Sequence, residues 1–193
     1  MPAAPGGATA GCAGASAAHP VRRDPTGAPR RAAAPPGPGL RKGAHLVTPV
    51  SPEEISTVLG PRAVEVTDAH GWTVCRVEPD QWYGCLADLN RSLEMDYLAC
   101  LTAVDLLEEG RMDLVVHLMS LERRRKLAVK CSLPRDGASV RSVRDIWAAA
   151  DWLERETHEM FGIHFEGHPD LSNLLLPDGW EGHPLRKDYV EPD

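Results

Sequence analysis

Three runs of strand-forming residues, Tyr97 to Leu106, Met112 to Leu121 and Lys126 to Leu133, follow one another with Glu108-Glu109-Gly110 and Arg123-Arg124-Arg125 between them. Connections this short join antiparallel neighbours, because a parallel pair needs a crossover of about a dozen residues or more. The runs therefore predict an antiparallel meander around which the rest of the chain must be built. In the last run Leu127, Val129, Cys131 and Leu133 alternate with Lys126, Ala128, Lys130 and Ser132, so one face is buried and the other largely wet. Cys131 is then a core side chain. The middle run is apolar on both faces (Leu114, Val116 and Leu118; Val115 and Met119), as a central strand would be, and His117 reads as a core histidine rather than a ligand. Arg123 to Lys126 read as solvated charge at a hairpin tip, with attraction to an acidic partner as the alternative.

Upstream, Ser51-Pro52-Glu53-Glu54 is a helix start: Ser51 caps, Pro52 fits the first turn and Glu54 returns a bond to the cap. Gly60-Pro61 ends that helix. Val64 and Val66, then Trp72 to Val77 beyond His70-Gly71, predict two strands joined by a turn. Trp82, Leu86, Leu89 and Leu93 stand at i, i+4, i+7 and i+11, the stripe of a second helix laid on a sheet. After Pro134 to Gly137 the helical period returns. Ser142 is its expected cap, Ile146, Ala149, Ala150, Leu153, Thr157 and Met160 its apolar side, Gly162 its end, with a break near Ala150-Asp151. On that wheel Arg155 points away from the apolar stripe, and Glu154 and Glu156 flank it.

The two ends differ from this middle. Residues 1–45 hold 13 Ala, 8 Gly and 8 Pro, too few large side chains for a core, and are expected to be disordered. They lack both the amphipathic helix of a transit peptide and the apolar core of a signal peptide. They carry a charge of +5, which leaves −12 on residues 46–193 and argues against nucleic acid as a partner. Residues 164–193 contain Gly167, Pro169, Pro177, Gly179, Gly182 and Pro184, so this tail should run extended. Its Leu171, Leu174, Leu175, Leu176 and Trp180 cannot form a core alone and need covering by the domain or by another protein. The expected organisation is a disordered tail (1–45), an α+β domain (46–163) and an extended partner-binding segment (164–193).

Several chemistries are excluded. There is no G-x-G-x-x-G after a strand and no G-x-x-x-x-G-K-[ST] loop, so no cradle for a dinucleotide or triphosphate exists. His158-Glu159-Met160-Phe161-Gly162 begins like a zinc-protease helix but lacks the second histidine. No G-x-S-x-G elbow occurs. The five cysteines (Cys12, Cys75, Cys85, Cys100, Cys131) form no C-x-x-C pair, which disfavours a disulfide framework, a zinc ribbon or a cysteine-held cluster and suits a reducing cytoplasm. No run approaches the roughly 20 apolar residues of a membrane helix. A zinc hydrolase built on His164, His168 and His183 is the remaining catalytic rival.

The stretches Asp151-Trp152-Leu153-Glu154-Arg155-Glu156-Thr157-His158-Glu159-Met160-Phe161-Gly162-Ile163, Phe165-Glu166-Gly167-His168-Pro169-Asp170-Leu171 and Trp180-Glu181-Gly182-His183-Pro184-Leu185-Arg186-Lys187-Asp188-Tyr189 closely resemble the C subunit of NADH-quinone oxidoreductase, respiratory complex I. Weaker likeness reaches upstream to Trp72. Ser172-Asn173 stands where that family commonly has a basic pair, and Val190 where it has proline. The resemblance implies an α+β subunit with a mostly antiparallel sheet, two N-terminal helices, the signature helix and an extended tail. It implies a peripheral subunit on the cytoplasmic side of the bacterial membrane, with no catalytic residue of its own. FMN, iron-sulfur clusters and quinone would belong to partner subunits. Those partners would be the large quinone-site subunit and the terminal-cluster subunit of the complex, with the membrane arm reached indirectly. Carried over position by position, Glu154, Arg155, Glu156, His168, Trp180, His183, Arg186, Lys187, Asp188 and Tyr189 are the expected interface residues. An i, i+4 ion pair of Arg155 with Asp151 or Glu159 is the intrachain alternative. The equivalent subunit of a ferredoxin-, F420- or hydrogen-fed complex is the near rival.

Overall fold

The computed structural model describes residues 46–191; the stretch 1–45, expected to be disordered, lies outside them, as does Cys12. The described chain opens with a two-residue strand β1 (Thr48–Pro49) and helix α1 (Pro52–Leu59). The capping box forms as the sequence predicts: Ser51 Oγ accepts from the Glu54 N–H at 3.3 Å, and the Glu54 carboxylate accepts from the Ser51 N–H at 3.3 Å. A hairpin of β2 (Ala63–Ala69) and β3 (Trp72–Val77) leads into α2 (Trp82–Leu93). Then come β4 (Tyr97–Leu106), β5 (Arg111–Ser120) and β6 (Arg125–Pro134), the expected meander, with Val116 opposite both Leu101 and Val129. The rest is β7 (Ser139–Arg141), α3 (Ala150–Phe161) and β8 (His164–Glu166).

The main sheet has the order β2-β3-β6-β5-β4, with β1 also on β6. It is mostly antiparallel, but β3 and β1 both run parallel to β6. β3 reaches its parallel partner through α2, β4 and β5, the long crossover such a pair requires. The stripe Trp82, Leu86, Leu89 and Leu93 is buried against Cys75, Leu114, Val116, Leu118, Leu127, Val129 and Cys131, joined by Ile55 and Leu59 of α1. Removing each such large side chain from water contributes about 1.5–3 kcal/mol. Burial also pushes the thiols of Cys75 and Cys131 up to about 12, so they are inert core groups. Among the described residues all four cysteines are free.

The opposite face of the sheet carries Trp72, Val74 and Arg76 from β3, which alternate with buried Thr73, Cys75 and Val77. His117 belongs to that face rather than the core, half-buried and stacked on Trp72 with ring centroids 4.6 Å apart. The basic hairpin tip is also less free than its sequence implies. Arg123 pairs with Glu94 at 2.6 Å, Arg125 pairs with Glu54, and Lys126 Nζ lies 4.6 Å from the Trp72 ring centroid. The Arg125 guanidinium holds the Glu54 carboxyl down at about 2.

Three expectations need correction around α3. The helix starts at Ala150, not at a Ser142 cap, because residues 143–149 form turns with bonds such as Trp147 N–H to Val143 O, 3.0 Å. Of its expected apolar side, Ala150 and Thr157 are buried and Ile146, Leu153 and Met160 pack half-buried against the core, but Glu154, Glu159 and Phe161 are buried as well and Ala149 is exposed. The tail beyond β8 runs through turns rather than as one extended segment, although β8 itself pairs parallel with β7.

Candidate functional site

The sequence-predicted residues converge where the tail folds back on α3. A helix leaves its last four carbonyls without internal partners, and here all four are taken up. Gly162, at φ +78° as the left-handed residue that ends a helix, donates its N–H to His158 O at 2.8 Å. His183 Nδ1 donates to Glu159 O at 2.9 Å, the Leu185 N–H to Met160 O at 3.1 Å, and Arg186 Nε to Phe161 O at 2.7 Å. The Arg186 charge also sits where the helix dipole favours a cation. The approach is so close that a Cβ on Gly162 would lie 2.5 Å from His183 Nε2 and 2.9 Å from Arg186 Nη2.

The next two tail residues are held by the sheet. Asp105, at the end of β4 with its side chain 1 % exposed, accepts from Arg135 Nε at 2.9 Å, Arg135 Nη2 at 3.1 Å and the Lys187 N–H at 2.9 Å. Arg135 also pairs with Asp188. The guanidinium lowers both carboxyls below the ordinary carboxylate value, and the two carboxylates raise the Arg135 pKa in turn. Tyr189 packs on Gly182, where a Cβ would meet its ring at 2.9 Å.

The three signature residues part company. Glu154 is completely buried rather than flanking, and accepts from Ser142 Oγ at 2.6 Å and the Val143 N–H at 2.7 Å. Burial raises its pKa despite those bonds. Arg155 reaches the tail, donating to Ser172 O, Ser172 Oγ and Asn173 O, each at 3.1 Å. The alternative pair with Asp151 or Glu159 does not form, since Asp151 pairs with Arg144 and the Glu159 carboxylate accepts the consecutive N–H groups of Leu174, Leu175 and Leu176 at 2.9–3.2 Å. Glu156 is exposed. His168, its side chain buried, accepts at Nδ1 from the Asp170 N–H and donates from Nε2 to Asp151 O, both at 3.2 Å. Those bonds occupy both ring nitrogens, and His183 is committed to α3. Among the described residues no group of three or more His, Cys, Asp or Glu side chains could hold a metal.

Asp105, Arg135, Glu159 and Gly162 were missed as site residues. Gly162 gave a signal as helix terminator; the other three act over 15 to 82 positions in sequence and gave none.

With the tail docked, Trp152, Leu175, Leu185 and Val190 remain 57 %, 61 %, 54 % and 83 % exposed. Tyr189 Oη and Trp180 Nε1 are buried without a hydrogen-bond partner among the described residues. An open cleft of about 360 Å³ is lined by Glu181, His183, Arg186, Asp188, Tyr189 and Val190.

The chain is 42 % identical over 116 residues to the NADH-quinone oxidoreductase C subunit of Chlorobium phaeobacteroides, a match that covers 58 % of this chain and 70 % of that one. Two solved structures are similar. A trypsin-resistant fragment of Nqo5 superposes with TM-score 0.52 at 27 % identity, over 55 % of this chain and 89 % of that chain. A chain of the membrane-bound sulfane sulfur reductase, an archaeal respiratory membrane complex, superposes with TM-score 0.59 at 31 % identity, over 72 % and 84 %. The family model for the 30 kDa subunit of respiratory-chain NADH dehydrogenase matches residues 75–193. That span takes in the meander, α3 with its buried Glu154, and the tail that closes the helix end, and the chain belongs to this family.

Proposed function

We propose that this chain is a non-catalytic subunit of the peripheral arm of a proton-translocating NADH-quinone oxidoreductase, and that it holds the quinone-site and terminal iron-sulfur subunits in register. The observation that carries this reading is the state of the docked tail. Its ionic and hydrogen-bonding residues are spent on fixing its shape against α3 and β4, while apolar Leu175, Leu185 and Val190 and neighbouring Trp152 face outward. A segment fixed in shape yet apolar outside is suited to burial against a second protein. Of the expected interface residues, Trp180, Lys187 and Tyr189 with exposed Glu156 would meet partners. Glu154, Arg155, His168, His183, Arg186 and Asp188 would act by shaping the surface.

In this reading FMN, the iron-sulfur clusters and quinone reside in partner subunits, and the direct neighbours are the large quinone-site subunit and the terminal-cluster subunit. The chain sits peripherally on the cytoplasmic side of the cell membrane; among the described residues no helix is long and apolar enough to cross one. The similarity to a chain of the sulfane sulfur reductase complex favours one second reading, the same structural role in a membrane complex with another electron donor.

The test is a chain carrying Trp152→Glu, Leu175→Glu and Leu185→Glu, introduced in place of the parent. The expected result is a folded chain by circular dichroism that fails to enter the complex on native gels, with loss of NADH-quinone reductase activity. Normal assembly and turnover with the triple variant would refute the reading, as would NADH-quinone turnover by the purified chain alone.

A further inference from the structure

The sheet face turned away from α1 and α2 carries a second surface, remote in sequence from the tail. Trp72 stands at its centre, with the His117 ring stacked on it at 4.6 Å and Lys126 Nζ 4.6 Å from the Trp72 ring centroid. Beside it lies a mainly apolar cavity of about 270 Å³ lined by Ala69, Trp72, Val74, His117 and Lys130 among others. A second hollow of about 160 Å³ shares Ala69, Val74 and Lys130 with it and continues along β2 to Glu65. Together they make a groove that spans β2 from Ala69 to Glu65, roughly 13 Å at the rise of a strand, the length of about four extended residues.

The groove's charges are unevenly committed. Arg76 is held by Asp113 at 3.3 Å and Glu65 at 3.6 Å. Among the described residues, no carboxylate lies within 4.0 Å of Lys126 or Lys130. Two cations without a carboxylate partner among the described residues, Lys126 over the Trp72 ring and Lys130, therefore flank an aromatic cavity on a body whose residues 46–193 carry −12. A second copy of the chain fits poorly, because among the described residues the only carboxylate lining the groove is Glu65, already paired with Arg76, so two such faces would offer the lysines no free acid. An anionic membrane fits poorly too, since the rest of the body would be repelled and the face is grooved.

We propose that this groove seats an extended acidic segment of a neighbouring subunit, with its carboxylates on Lys126 and Lys130 and an apolar side chain in the cavity beside Trp72. The proposal rests on the reading of the chain as an assembly subunit and adds a contact separate from the tail. Main-chain length, charge and one anchoring pocket are what a bound extended segment uses, and an aromatic-lined pocket is where such contacts concentrate their energy.

Lysine acetylation followed by mass spectrometry, on the free chain and on the purified complex, tests this without any substitution. Lys126 and Lys130 are expected to react at least tenfold more slowly in the complex. In parallel, Lys126→Glu with Lys130→Glu should let the subunit wash off the complex at lower salt, and Lys126→Arg with Lys130→Arg should retain it. A chain that assembles with both lysines as reactive as in the free protein overturns the proposal alone. A chain that joins no assembly overturns the functional reading with it. Protection of the free chain by phosphatidylglycerol vesicles, or by its own rising concentration, would assign the face to a membrane or to a second copy and overturn the acidic-segment proposal.

Discussion

Gly162→Ala perturbs the joint between α3 and the tail at its tightest point, and Gly110→Ala supplies its control. Both glycines have left-handed φ values, +78° and +65°, so alanine at either site bears a backbone penalty of about 1–2 kcal/mol. The surroundings differ: among the described residues nothing lies within 4 Å of a Cβ at Gly110, whereas at Gly162 it would meet His183 Nε2 at 2.5 Å and Arg186 Nη2 at 2.9 Å. Relieving that clash means moving both side chains off α3. The neutral bond to Glu159 O contributes about 0.5–1.5 kcal/mol and the charged bond to Phe161 O about 1.5–3 kcal/mol. Gly162→Ala should therefore be less stable than Gly110→Ala by about 2–4 kcal/mol, which for a domain of this size lowers the melting temperature by roughly 5–15 °C. Calorimetry measures the difference, and amide exchange should show the Leu185 and Lys187 N–H groups losing protection in Gly162→Ala only. Melting temperatures within about 2 °C of each other, with the Leu185 amide equally protected, would refute the claim that the tail is clamped through this contact.

Asp105→Asn should lower the denaturation midpoint near neutral pH by weakening the grip on Arg135 and Lys187. Because its folded pKa lies below the ordinary 3.8, that stabilisation is fully present above the unfolded value and lost as pH falls through the folded one. The parent's advantage over the variant should shrink with acidification across that window in urea melts. Glu154→Gln should behave in the opposite sense. Burial raises the Glu154 pKa above 4.5, so the parent loses stability as pH rises from 4.5 through the raised value, and the variant's relative stability should grow over that interval and level off beyond it. Glu159→Ala would remove the carboxylate that accepts from three backbone N–H groups. Amide exchange at Leu174 to Leu176 should accelerate at least tenfold; unchanged rates would show that the carboxylate does not hold that loop.

What could be read from the residues alone followed local chemistry. Ser51 and Glu54 cap α1 because a cap is a contact three positions long, and Trp82, Leu86, Leu89 and Leu93 fall inward because a helix repeats in 3.6 residues. The meander was legible because its connections are short. The parallel pairing of β3 with β6 was not, since its partners are separated by two strands and a helix. The wheel made Glu154 a flanking residue and gave no sign of its burial, because charge is normally solvated; the turn at Ser142 and Val143 supplies donors that make an interior carboxylate tolerable. At the candidate site the tail motif stood out as a unit. Its use did not, because Asp105 meets Lys187 across 82 positions.

The four carbonyls at the end of α3 are completed by Gly162, His183, Leu185 and Arg186, of which three stand 24 or 25 positions beyond the carbonyls they serve. A polypeptide cut before His183 would therefore keep only the Gly162 bond and leave the other three carbonyls of its signature helix bare, with no scaffold left to frame the tail.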